Sequence, residues 1–469
     1  MAPALLPLLT RNAMLRIFRH YVPSLSLVLF AGDLAIIFGA YQLVALSGVW
    51  LGQGSGLPKV IFLSALAPFV LNLGGLYDIR LPLGRREMVA RLLACQAITG
   101  LLIAAAGFTV PHLRLGRAAY FQIGLTVTLA LLVWRLAWLG PWSHQRMKIR
   151  VLVLGTGVIG KVIAGLLNSG SRPFTIIGFL DDNPNAPDTI PDGQVLLGKI
   201  KDLPAIVEEA RPDLVVVAQM NRRGNFPAKA LLECRLRGIQ VEDWPTFYEK
   251  ETGKILVTDL RPSWLIFSDG FVKTARTEII KRLADMTLAL AGLLVALPVM
   301  ALVAVAIRLE SSGPALFRQP RLGQNGRVFI LNKFRSMRPD AEKESGPVWA
   351  QQQDPRVTRV GAFLRRTRLD ELPQLLNVLV GDMSFIGPRP ERPEFVYELQ
   401  KQIPFYMERL SVKPGITGWA QVRYRYGASV EDALEKLQFD LYYIKNLSLF
   451  LDLLILINTI QVVLFARGR

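Results

Sequence analysis

Four long apolar runs in the N-terminal third of the sequence limit what this chain can fold into more than any other feature. They extend over residues 21–49, 57–77, 88–110 and 118–140. Each contains at least the roughly 20 residues that an α-helix needs to cross the hydrocarbon core of a membrane. We therefore predict a region of four transmembrane helices within residues 1–146.

The basic residues beside these runs predict their orientation. Arginine and lysine are frequent before the first run, between the second and third, and after the fourth, and they are sparser in the other two loops. Because loops rich in arginine and lysine stay in the cytoplasm, both ends of this multi-pass region are predicted to be cytoplasmic. Asp33 and Arg135 lie in or near the runs, and we interpret them as helix-pairing or snorkelling residues rather than a functional site.

The composition agrees with a chain that has both membrane and soluble parts. Hydrophobic residues make up 51% of the 469 residues, yet charged residues still make up 20%. The net charge of +18 indicates an anionic partner, which could be nucleic acid, a membrane face or a phosphorylated substrate. No nucleic acid is expected, because the charge is spread along the membrane flanks. Cys95 and Cys234 are too few for a disulfide framework or a zinc site, so the soluble parts are predicted to be cytoplasmic.

A change of composition near residue 147 predicts a Rossmann-like α/β domain over residues 147–271. Residues 149–154, 175–180 and 212–218 have the character of buried strands. The first strand leads into a Gly-x-Gly-x-x-Gly turn, and the second ends where a ribose-binding acid belongs. The candidate cofactor-binding residues are Gly155, Gly157, Gly160 and Asp181.

This motif leaves two interpretations open. The glycines could cradle a dinucleotide, or they could let a helix pack tightly on a strand without any ligand. No residue suited to hydride transfer is visible nearby. If the glycines do bind a dinucleotide, a membrane-tethered, NAD-dependent nucleotide-sugar oxidoreductase or epimerase is the main alternative function; a non-catalytic nucleotide sensor is another. A homodimer formed through this domain also stays open.

The third region, residues 272–469, begins with an apolar run near 281–309. By length this run could be a fifth span, but basic residues lie on both sides of it, so no charge asymmetry orients a crossing. Pro298 removes a backbone hydrogen bond in the middle of the run and can kink a helix there. We therefore predict a re-entrant membrane hairpin. Polar residues within the apolar segment 447–465 predict a C-terminal helix that lies in the membrane interface.

Two adjacent carboxylates in an arginine-rich segment are the candidate catalytic groups. Asp370 and Glu371 come just before Pro373, which suits the first turn of a helix. Helix capping would explain such acids without any chemistry. However, the helix dipole and the nearby arginines should keep Asp370 ionised, as a nucleophile requires. The charged residues that accompany the pair are Lys333, Arg335, Arg365, Arg366, Asp382, Arg389 and Glu391.

Phosphate chemistry by these groups predicts a divalent cation. A carboxylate that attacks a pyrophosphate meets like charge, and Mg²⁺ commonly binds one or two carboxylates together with substrate phosphates. Glu371 is the predicted ligand. Pro388 and Pro390 limit the freedom of the backbone around Arg389 and should fix where its guanidinium points.

Several motifs occur in register from residue 281 onward. They are Lys281-Arg282-x-x-Asp285, Gly313-Pro314-x-x-Phe317-x-Gln319-x-Arg321-x-Gly323, Lys333-Phe334-Arg335-Ser336-Met337, Leu369-Asp370-Glu371-Leu372-Pro373-Gln374, Gly381-Asp382-Met383-Ser384, Gly387-Pro388-Arg389-Pro390-Glu391 and Lys413-Pro414-Gly415-Ile416-Thr417-Gly418-Trp419. Together they resemble the bacterial sugar transferases called monotopic phosphoglycosyl transferases, or polyprenyl-phosphate hexose-1-phosphate transferases. The four apolar runs and the Rossmann-like segment resemble the N-terminal part of the long-form members.

The resemblance implies a covalent mechanism. Asp370 would attack the β-phosphate of a UDP-sugar, release UMP and hold the sugar phosphate until polyprenyl phosphate, such as undecaprenyl phosphate, accepts it. Glu371 would bind Mg²⁺, and the product would begin an exopolysaccharide or O-antigen. UDP-glucose and UDP-galactose are the favoured sugars. The resemblance places the enzyme among the lipids of the bacterial inner membrane, with its soluble domains in the cytoplasm. The residues that would handle phosphate or support the metal are Lys333, Arg335, Arg365, Arg366, Arg389, Asp382 and Glu391.

Two positions depart from the family pattern. Leu297 precedes Pro298 where many members have serine, so the kink would have to form without a hydroxyl group. Arg368 stands where a small hydroxyl residue is frequent, which adds a cation beside the expected nucleophile.

Overall fold

The computed structural model describes residues 14–17, 20–47, 57–78, 84–138, 149–169, 174–183, 193–218, 226–258, 262–338, 355–424, 427 and 429–464. The chain divides into two compact units, one formed by residues 1–17 and 21–250 and the other by residues 18–20 and 251–469. The predicted domain boundary at residues 146–147 lies outside the described residues.

The N-terminal part consists of two short strands followed by four apolar helices. They are β1 (Met14–Ile17), β2 (His20–Pro23), α1 (Ser24–Leu46), α2 (Leu57–Leu73), α3 (Arg85–Thr109) and α4 (Arg117–Trp138). Helices α1, α3 and α4 are long and apolar enough to cross a membrane. Helix α2 has 17 residues and is shorter than the predicted run, because the chain leaves the helix at Leu73 and turns at Gly75, where φ is +75°. This length is at the lower limit for a span.

A buried ion pair joins two of these helices. Asp33 of α1 and Arg135 of α4 contact each other, and the hydroxyl of Tyr77 donates a hydrogen bond to the same carboxylate at 2.8 Å. Arg135 also donates to the carbonyl oxygen of Leu76 at 2.8 Å. Charged groups within an apolar bundle are stabilised by such partners, so the contacts agree with the helix-pairing interpretation.

A five-stranded parallel sheet forms the rest of the first unit. Its strands are β3 (Ile149–Leu154), β4 (Phe174–Leu180), β5 (Leu196–Gly198), β6 (Leu214–Val217) and β7 (Gln240–Asp243), in the spatial order β5-β4-β3-β6-β7. The helices of this part are α5 (Val158–Ser169), α6 (Leu203–Ala210), α7 (Ala228–Leu236) and α8 (Trp244–Thr252). Residues 151–154 of the central strand β3 are apolar on both faces and fully buried, as a strand covered on both sides requires. The three strands predicted here are confirmed.

The second unit contains one very long helix. After the short helix α9 (Pro262–Phe267), α10 (Ala275–Glu310) runs for 36 residues with Pro298 inside it. The structure therefore has a continuous helix where the sequence predicts a hairpin; proline removes only one helical hydrogen bond, and the residues around it are mostly good helix formers. Many apolar side chains of its middle part are exposed, including Leu294 at 72% and Val295 at 78%.

An α/β body follows α10. Its elements are β8 (Leu316–Leu322), β9 (Val328–Phe334), α11 (Arg359–Thr367), α12 (Gln374–Val380), β10 (Ser384–Ile386), α13 (Pro393–Gln402), β11 (Gly415–Thr417), α14 (Trp419–Arg423), α15 (Val430–Lys445) and α16 (Leu449–Leu464). Strands β8 and β9 pair antiparallel, and β10 and β11 pair parallel. Trp419, Tyr442 and Tyr443 are the largest fully buried side chains of the main core cluster in the part of this unit that the structure describes. Asp452 of α16 accepts hydrogen bonds from Tyr443 at 2.8 Å and from Lys281 at 2.7 Å, so this polar position is used within the unit.

Candidate active site

Asp370 and Glu371 lie in a separate turn between two helices. The turn is a 3₁₀ helix, Leu369–Glu371, and it connects α11 to α12. Arg368 at its start has a left-handed backbone with φ of +60°, which ends α11 and redirects the chain. Pro373 immediately precedes α12. The predicted helix therefore exists, and the two carboxylates lie just before its start.

Asn377 of α12 ties this segment to the strand that carries Lys333. Its Oδ1 accepts hydrogen bonds from the main-chain N of Asn332 at 3.0 Å and from Nδ2 of Asn332 at 3.1 Å. Its own Nδ2 donates to the carbonyl oxygen of Ile330 at 2.7 Å. These bonds hold α12 against β9 and so place Lys333 beside Glu371. Sequence reasoning missed Asn377, although an amide within the apolar stripe of a helix was a usable signal.

Three cations face the carboxylate of Glu371. Its Oε1 lies 3.1 Å from Nη2 of Arg389, 3.7 Å from Nζ of Lys333 and 3.7 Å from Nη1 of Arg368. Burial opposes the ionised form, but the three cations outweigh it and hold the pKa of Glu371 down at about 2. Glu371 is therefore ionised and is held in place by its partners.

Asp370 is in a different state from its neighbour. The residue is 8% exposed, and no described side chain forms a hydrogen bond or an ion pair with its carboxylate. Burial and the negative charge of Glu371 raise the pKa of Asp370, and the opposing effects of Lys333, Arg389 and Arg365 are weaker. The sequence predicts that nearby arginines favour the ionised form, whereas the net shift in the folded chain favours the protonated form. The difference arises because the prediction omitted desolvation and the adjacent carboxylate.

Lys333 has an unusually low pKa for a lysine. Its side chain lies between β9 and the Asp370–Glu371 turn and is 21% exposed. Burial lowers the pKa of Lys333 to about 8, although Glu371 and Asp370 act in the opposite direction. The lysine therefore changes its charge within the pH range of ordinary enzyme assays.

Two of the predicted phosphate-binding arginines hold other elements together. Arg335 is buried and donates to the carbonyl oxygens of Ser311 and Ser312, at 2.8 Å each, just beyond the end of α10. Arg365 donates from Nε to Oγ of Ser336 at 2.9 Å. Both side chains are therefore engaged by the fold, and a phosphate-binding role for them stays a prediction.

The remaining predicted residues separate into two groups. Arg366 and Asp382 are exposed, and they do not line the cavity described below. Glu391 lies 3.6 Å from Arg321 and does line that cavity. The structure thus brings Asp370, Glu371, Lys333 and Arg389 together, with Glu391 close by, and leaves Arg335, Arg366 and Asp382 apart from them.

A cavity of about 310 Å³ opens beside Glu371. One part of its lining is charged and another is apolar. The charged residues include Arg368, Glu371, Arg389, Arg409, Lys436 and Asp440, and the apolar ones include Leu372, Leu375, Phe385, Ile416, Val422 and Val462. Such a lining suits ligands that combine anionic groups with apolar parts. Sequence reasoning missed Arg409, Lys436 and Asp440, because no short motif connects them to the Asp370–Glu371 pair.

The carboxylates present fit a magnesium ion that also binds substrate. Among the described residues, no group of three or more His, Cys, Asp or Glu side chains could hold a metal ion. Mg²⁺ usually keeps several waters and binds proteins through one or two carboxylates plus substrate phosphates. Asp370 and Glu371 supply that number of carboxylates. That Glu371 is the ligand stays a prediction.

In the first unit, the candidate ribose-binding acid Asp181 forms hydrogen bonds with the glycine-rich turn itself. Oδ2 of Asp181 accepts hydrogen bonds from the main-chain N and from Oγ1 of Thr156, at 2.7 Å and 2.8 Å. Gly155 has a φ of +110°, and a Cβ at Gly160 would lie 2.4 Å from the carbonyl oxygen of Gly155. Gly157 has open space around it. The backbone therefore requires glycine at two of the three positions, Gly155 and Gly160, whether or not a ligand binds. Dinucleotide binding stays a prediction.

Comparison with known proteins gives this site its context. The pattern of the family described as bacterial sugar transferase matches residues 276–466. A putative undecaprenyl-phosphate N-acetylgalactosaminyl 1-phosphate transferase from Bacillus subtilis (strain 168) is 56% identical over 156 residues, which cover 33% of this chain and 83% of that protein. This chain belongs to the bacterial sugar transferase family. The resemblance that the sequence motifs indicated is thereby confirmed.

Two relatives of this bacterial sugar transferase match longer stretches. The UDP-N-acetylgalactosamine-undecaprenyl-phosphate N-acetylgalactosaminephosphotransferase of Aeromonas hydrophila is 44% identical over 238 residues, which cover 51% of this chain and 55% of that protein. The undecaprenyl-phosphate glucose phosphotransferase of Komagataeibacter xylinus is 33% identical over 339 residues, which cover 70% of this chain and 61% of that protein. The chain thus spans little more than half the length of these two relatives. The pattern of a CoA-binding domain matches residues 72–223, a range that contains β3 to β6.

Proposed function

We propose that this chain is a phosphoglycosyl transferase that moves a hexose 1-phosphate from a UDP-sugar to polyprenyl phosphate. The observation that carries the proposal is the contrast between two adjacent carboxylates. Glu371 is paired with three cations, whereas Asp370 has no hydrogen-bonded or ion-paired side chain among the described residues. An uncommitted carboxylate beside cations that can receive phosphate oxygens suits nucleophilic attack on phosphorus.

The first step forms a covalent intermediate on Asp370. A carboxylate oxygen attacks the β-phosphorus of the UDP-sugar, and the bond from that phosphorus to the oxygen bridging the α- and β-phosphates breaks. UMP leaves with the bridging oxygen, and the hexose phosphate stays on Asp370 as an acyl phosphate. Because burial destabilises the charge of Asp370, the ionised carboxylate is a stronger nucleophile than a salt-bridged one.

The second step releases the enzyme. A phosphate oxygen of polyprenyl phosphate attacks the same phosphorus, and the bond from phosphorus to the Asp370 carboxylate breaks. The products of the two steps are UMP and a polyprenyl-diphospho-sugar, a starting point for an exopolysaccharide or O-antigen. The cavity beside Glu371 supports binding of the acceptor, because its charged part suits phosphates and its apolar part suits the first isoprene units; Glu371 lines it, and Asp370 is the adjacent residue in the chain.

The cations around Glu371 offset the charge that the phosphates bring. Two unit charges 4 Å apart interact by about 1 kcal/mol in water and by about 4 kcal/mol at a partly desolvated surface. Arg389 and Lys333, both mostly buried, therefore contribute more here than exposed cations would. Mg²⁺, when bound, supplies further neutralisation of the pyrophosphate, and Glu371 is its proposed protein ligand.

The names of the relatives indicate which UDP-sugars should be tested as substrates. UDP-glucose and UDP-galactose are the sugars that the family resemblance favours. The relative from K. xylinus is named for glucose, and those from A. hydrophila and B. subtilis are named for N-acetylgalactosamine. The test below therefore includes UDP-N-acetylgalactosamine together with the two predicted substrates.

Contacts at both ends of α10 support a re-entrant arrangement. Arg282 donates to the carbonyl oxygens of Val378 and Leu379, at 2.6 Å and 2.8 Å. Near the other end, Glu310 accepts a hydrogen bond from the main-chain N of Val360 at 3.0 Å. All these partners belong to the same compact unit. If this unit stays on one side of a membrane, neither end of α10 is carried to the other side, which is what a re-entrant helix requires.

In the proposed arrangement, the exposed apolar middle of α10 enters one leaflet and bends at Pro298. The unit then acts at the cytoplasmic face of the bacterial inner membrane, where a soluble nucleotide-sugar and a lipid phosphate can both arrive. The net charge of +18 favours contact with anionic lipid headgroups at that face.

The proposed activity is tested with purified protein, Mg²⁺, polyprenyl phosphate and each of the three UDP-sugars. We expect UMP release with at least one sugar, and retention of labelled sugar phosphate on the protein when the acceptor is omitted. Asp370→Asn should abolish both signals. UMP release that is unchanged in Asp370→Asn would contradict the covalent step, and absence of UMP with every UDP-sugar would contradict the function.

A further inference from the structure

The short segment that carries Arg389 is anchored through three consecutive carbonyl groups. The main-chain N of Gly415 donates to the carbonyl oxygen of Pro388 at 2.9 Å. Nη2 of Arg409 donates to the carbonyl oxygen of Arg389 at 3.1 Å, and Nη1 of Arg321 donates to that of Pro390 at 3.2 Å. Since proline has no N–H, carbonyl groups are the main way to fix the backbone here.

Arg409 is more deeply buried than Arg321, the other side chain among these anchors. It is 4% exposed, and its guanidinium contacts three different partners. Nε and Nη2 lie 3.1 Å and 2.9 Å from Oδ2 of Asp440, and Nη1 donates to the hydroxyl of Tyr406 at 2.9 Å. Asp440, on α15, is 1% exposed. Asp440 and Tyr406 thus fix the plane of the guanidinium that donates to the carbonyl oxygen of Arg389.

Stability alone gives little reason for this ion pair. Replacing a buried ion pair by apolar residues of similar volume is often neutral or stabilising, because desolvation of two charges is costly. Apolar and aromatic residues such as Leu437 and Tyr443, both nearly inaccessible, form the core of this part of the unit, so apolar side chains could also be accommodated there. What an apolar pair could not provide is a donor aimed at the carbonyl oxygen of Arg389.

We propose that Arg409, oriented by Asp440, is a positioning residue for Arg389. It fixes the main chain at Arg389 so that the guanidinium of that residue meets Glu371 and the phosphates of the substrate. This role rests on the proposed transferase function, in which Arg389 is a phosphate-handling group. The required accuracy is high, because a displacement of about 1 Å at such a site can cost about 100-fold in rate.

The test is a double-mutant cycle between Arg409 and Arg389, measured both as UMP release and as affinity for UDP. Arg409→Lys keeps the charge but loses the planar group that joins Asp440, Tyr406 and Arg389. We expect it to lower kcat/KM about 10- to 100-fold, the usual effect of removing a supporting partner. In an Arg389→Ala background the same change should cost less than about threefold, because the group that it positions is gone. Equal losses in both backgrounds would overturn the proposal.

If Arg409→Lys does not fold, substitutions of its two side-chain partners provide the same test. Asp440→Asn and Tyr406→Phe each remove one support of Arg409 and enter the same cycle with Arg389→Ala. Arg327→Lys, on the exposed turn between β8 and β9, is the matched control and should stay within about twofold of the wild type.

The two measurements separate this proposal from the transferase function. A wild-type protein that releases no UMP would count against the function, and the UDP-affinity cycle would still decide the positioning role. Active wild-type protein with additive losses in the cycle would remove only the positioning role.

Discussion

Nη2 of Arg389 donates a hydrogen bond to Oε1 of Glu371 at 3.1 Å, and Lys333 and Arg368 approach the same oxygen at 3.7 Å. A single carboxylate oxygen thus organises cations from three separate parts of the chain. Glu371 therefore has two tasks in the proposed mechanism: it holds the cations in place, and it offers a ligand to Mg²⁺.

We predict that Glu371→Gln strongly impairs the enzyme. The amide keeps the shape of the side chain but removes the negative charge that Arg389, Lys333 and Arg368 share. UMP release should fall about 100- to 1,000-fold, as it does when a charged group is removed from a preorganised site. The measurement is kcat/KM for the UDP-sugar at several Mg²⁺ concentrations.

Glu394→Gln is the matched control for this prediction. Glu394 is 53% exposed and lies 3.6 Å from Arg392, so it also has an arginine partner but is solvated. An exposed pair contributes little, and activity should change by less than about twofold. Similar losses in Glu371→Gln and Glu394→Gln would contradict the role of Glu371.

We predict an alkaline limit to activity that is set by Lys333. The pKa of Lys333 is lowered to about 8 by burial, so the side chain is cationic below that pH and neutral above it. If its charge helps to bind phosphate, kcat/KM should fall as the pH rises through about 8. Lys333→Arg should move this fall to higher pH, because arginine stays protonated.

The measurement is a pH profile of UMP release between about pH 6 and pH 10, with the wild type, Lys333→Arg and the control Lys401→Arg compared in one buffer series. Lys401→Arg is the control, since Lys401 is 65% exposed on α13 and should leave the profile unchanged. An alkaline limb that stays in place in Lys333→Arg would show that another group sets it.

The sequence predicted those parts of the site that are local in the chain or carry a strong periodic signal. The Asp370–Glu371 pair, the helix after it and the strands around the glycine-rich turn are of this kind. Lys333 and Arg335 are two residues apart and were expected to act together, but β9 ends at Phe334. Beyond that point the strand alternation no longer applies, and Arg335 turns to the end of α10.

Contacts distant in sequence could not be predicted in this way. Arg409 lies 31 residues from its partner Asp440, and no sequence motif contains both residues. The pKa of Asp370 was also beyond reach, because its direction depends on desolvation, which the linear sequence does not contain. Arginines near in sequence were therefore a poor guide to the charge state of this carboxylate.

We predict that Asn377 is needed for the stability of the site. Asn377→Leu keeps a similar volume but leaves the main-chain N of Asn332 and the carbonyl oxygen of Ile330 without their side-chain partner. Each buried polar group left unsatisfied costs about 1–3 kcal/mol, so the loss of partners for these two groups should lower the free energy of unfolding by about 2–6 kcal/mol. The measurement is denaturant unfolding in detergent, followed by tryptophan fluorescence.

Val380→Ala, on the same helix, is the comparison. Val380 is 77% exposed, and its truncation should change the free energy of unfolding by less than about 0.5 kcal/mol. Equal destabilisation by the two variants would show that α12 as a whole, rather than the bonds of Asn377, limits stability.

We predict that both ends of α10 are accessible from the cytoplasm only. Arg276 and Ser312 are exposed near the two ends of the helix, so single cysteines there should react with a membrane-impermeant maleimide. Cys95 and Cys234 are both buried and would be replaced by alanine to provide a background without cysteine. In right-side-out vesicles neither Arg276→Cys nor Ser312→Cys should react; in inverted vesicles both should.

His112→Cys supplies the opposite control, because the segment between α3 and α4 is predicted to lie outside the cytoplasm and His112 is exposed there. It should react in right-side-out vesicles. Because the two ends of α10 contact one compact unit, a re-entrant helix requires the cysteines at Arg276 and Ser312 to react from the same side. Labelling of the two positions from opposite sides would make α10 a transmembrane span and would rule out the re-entrant arrangement.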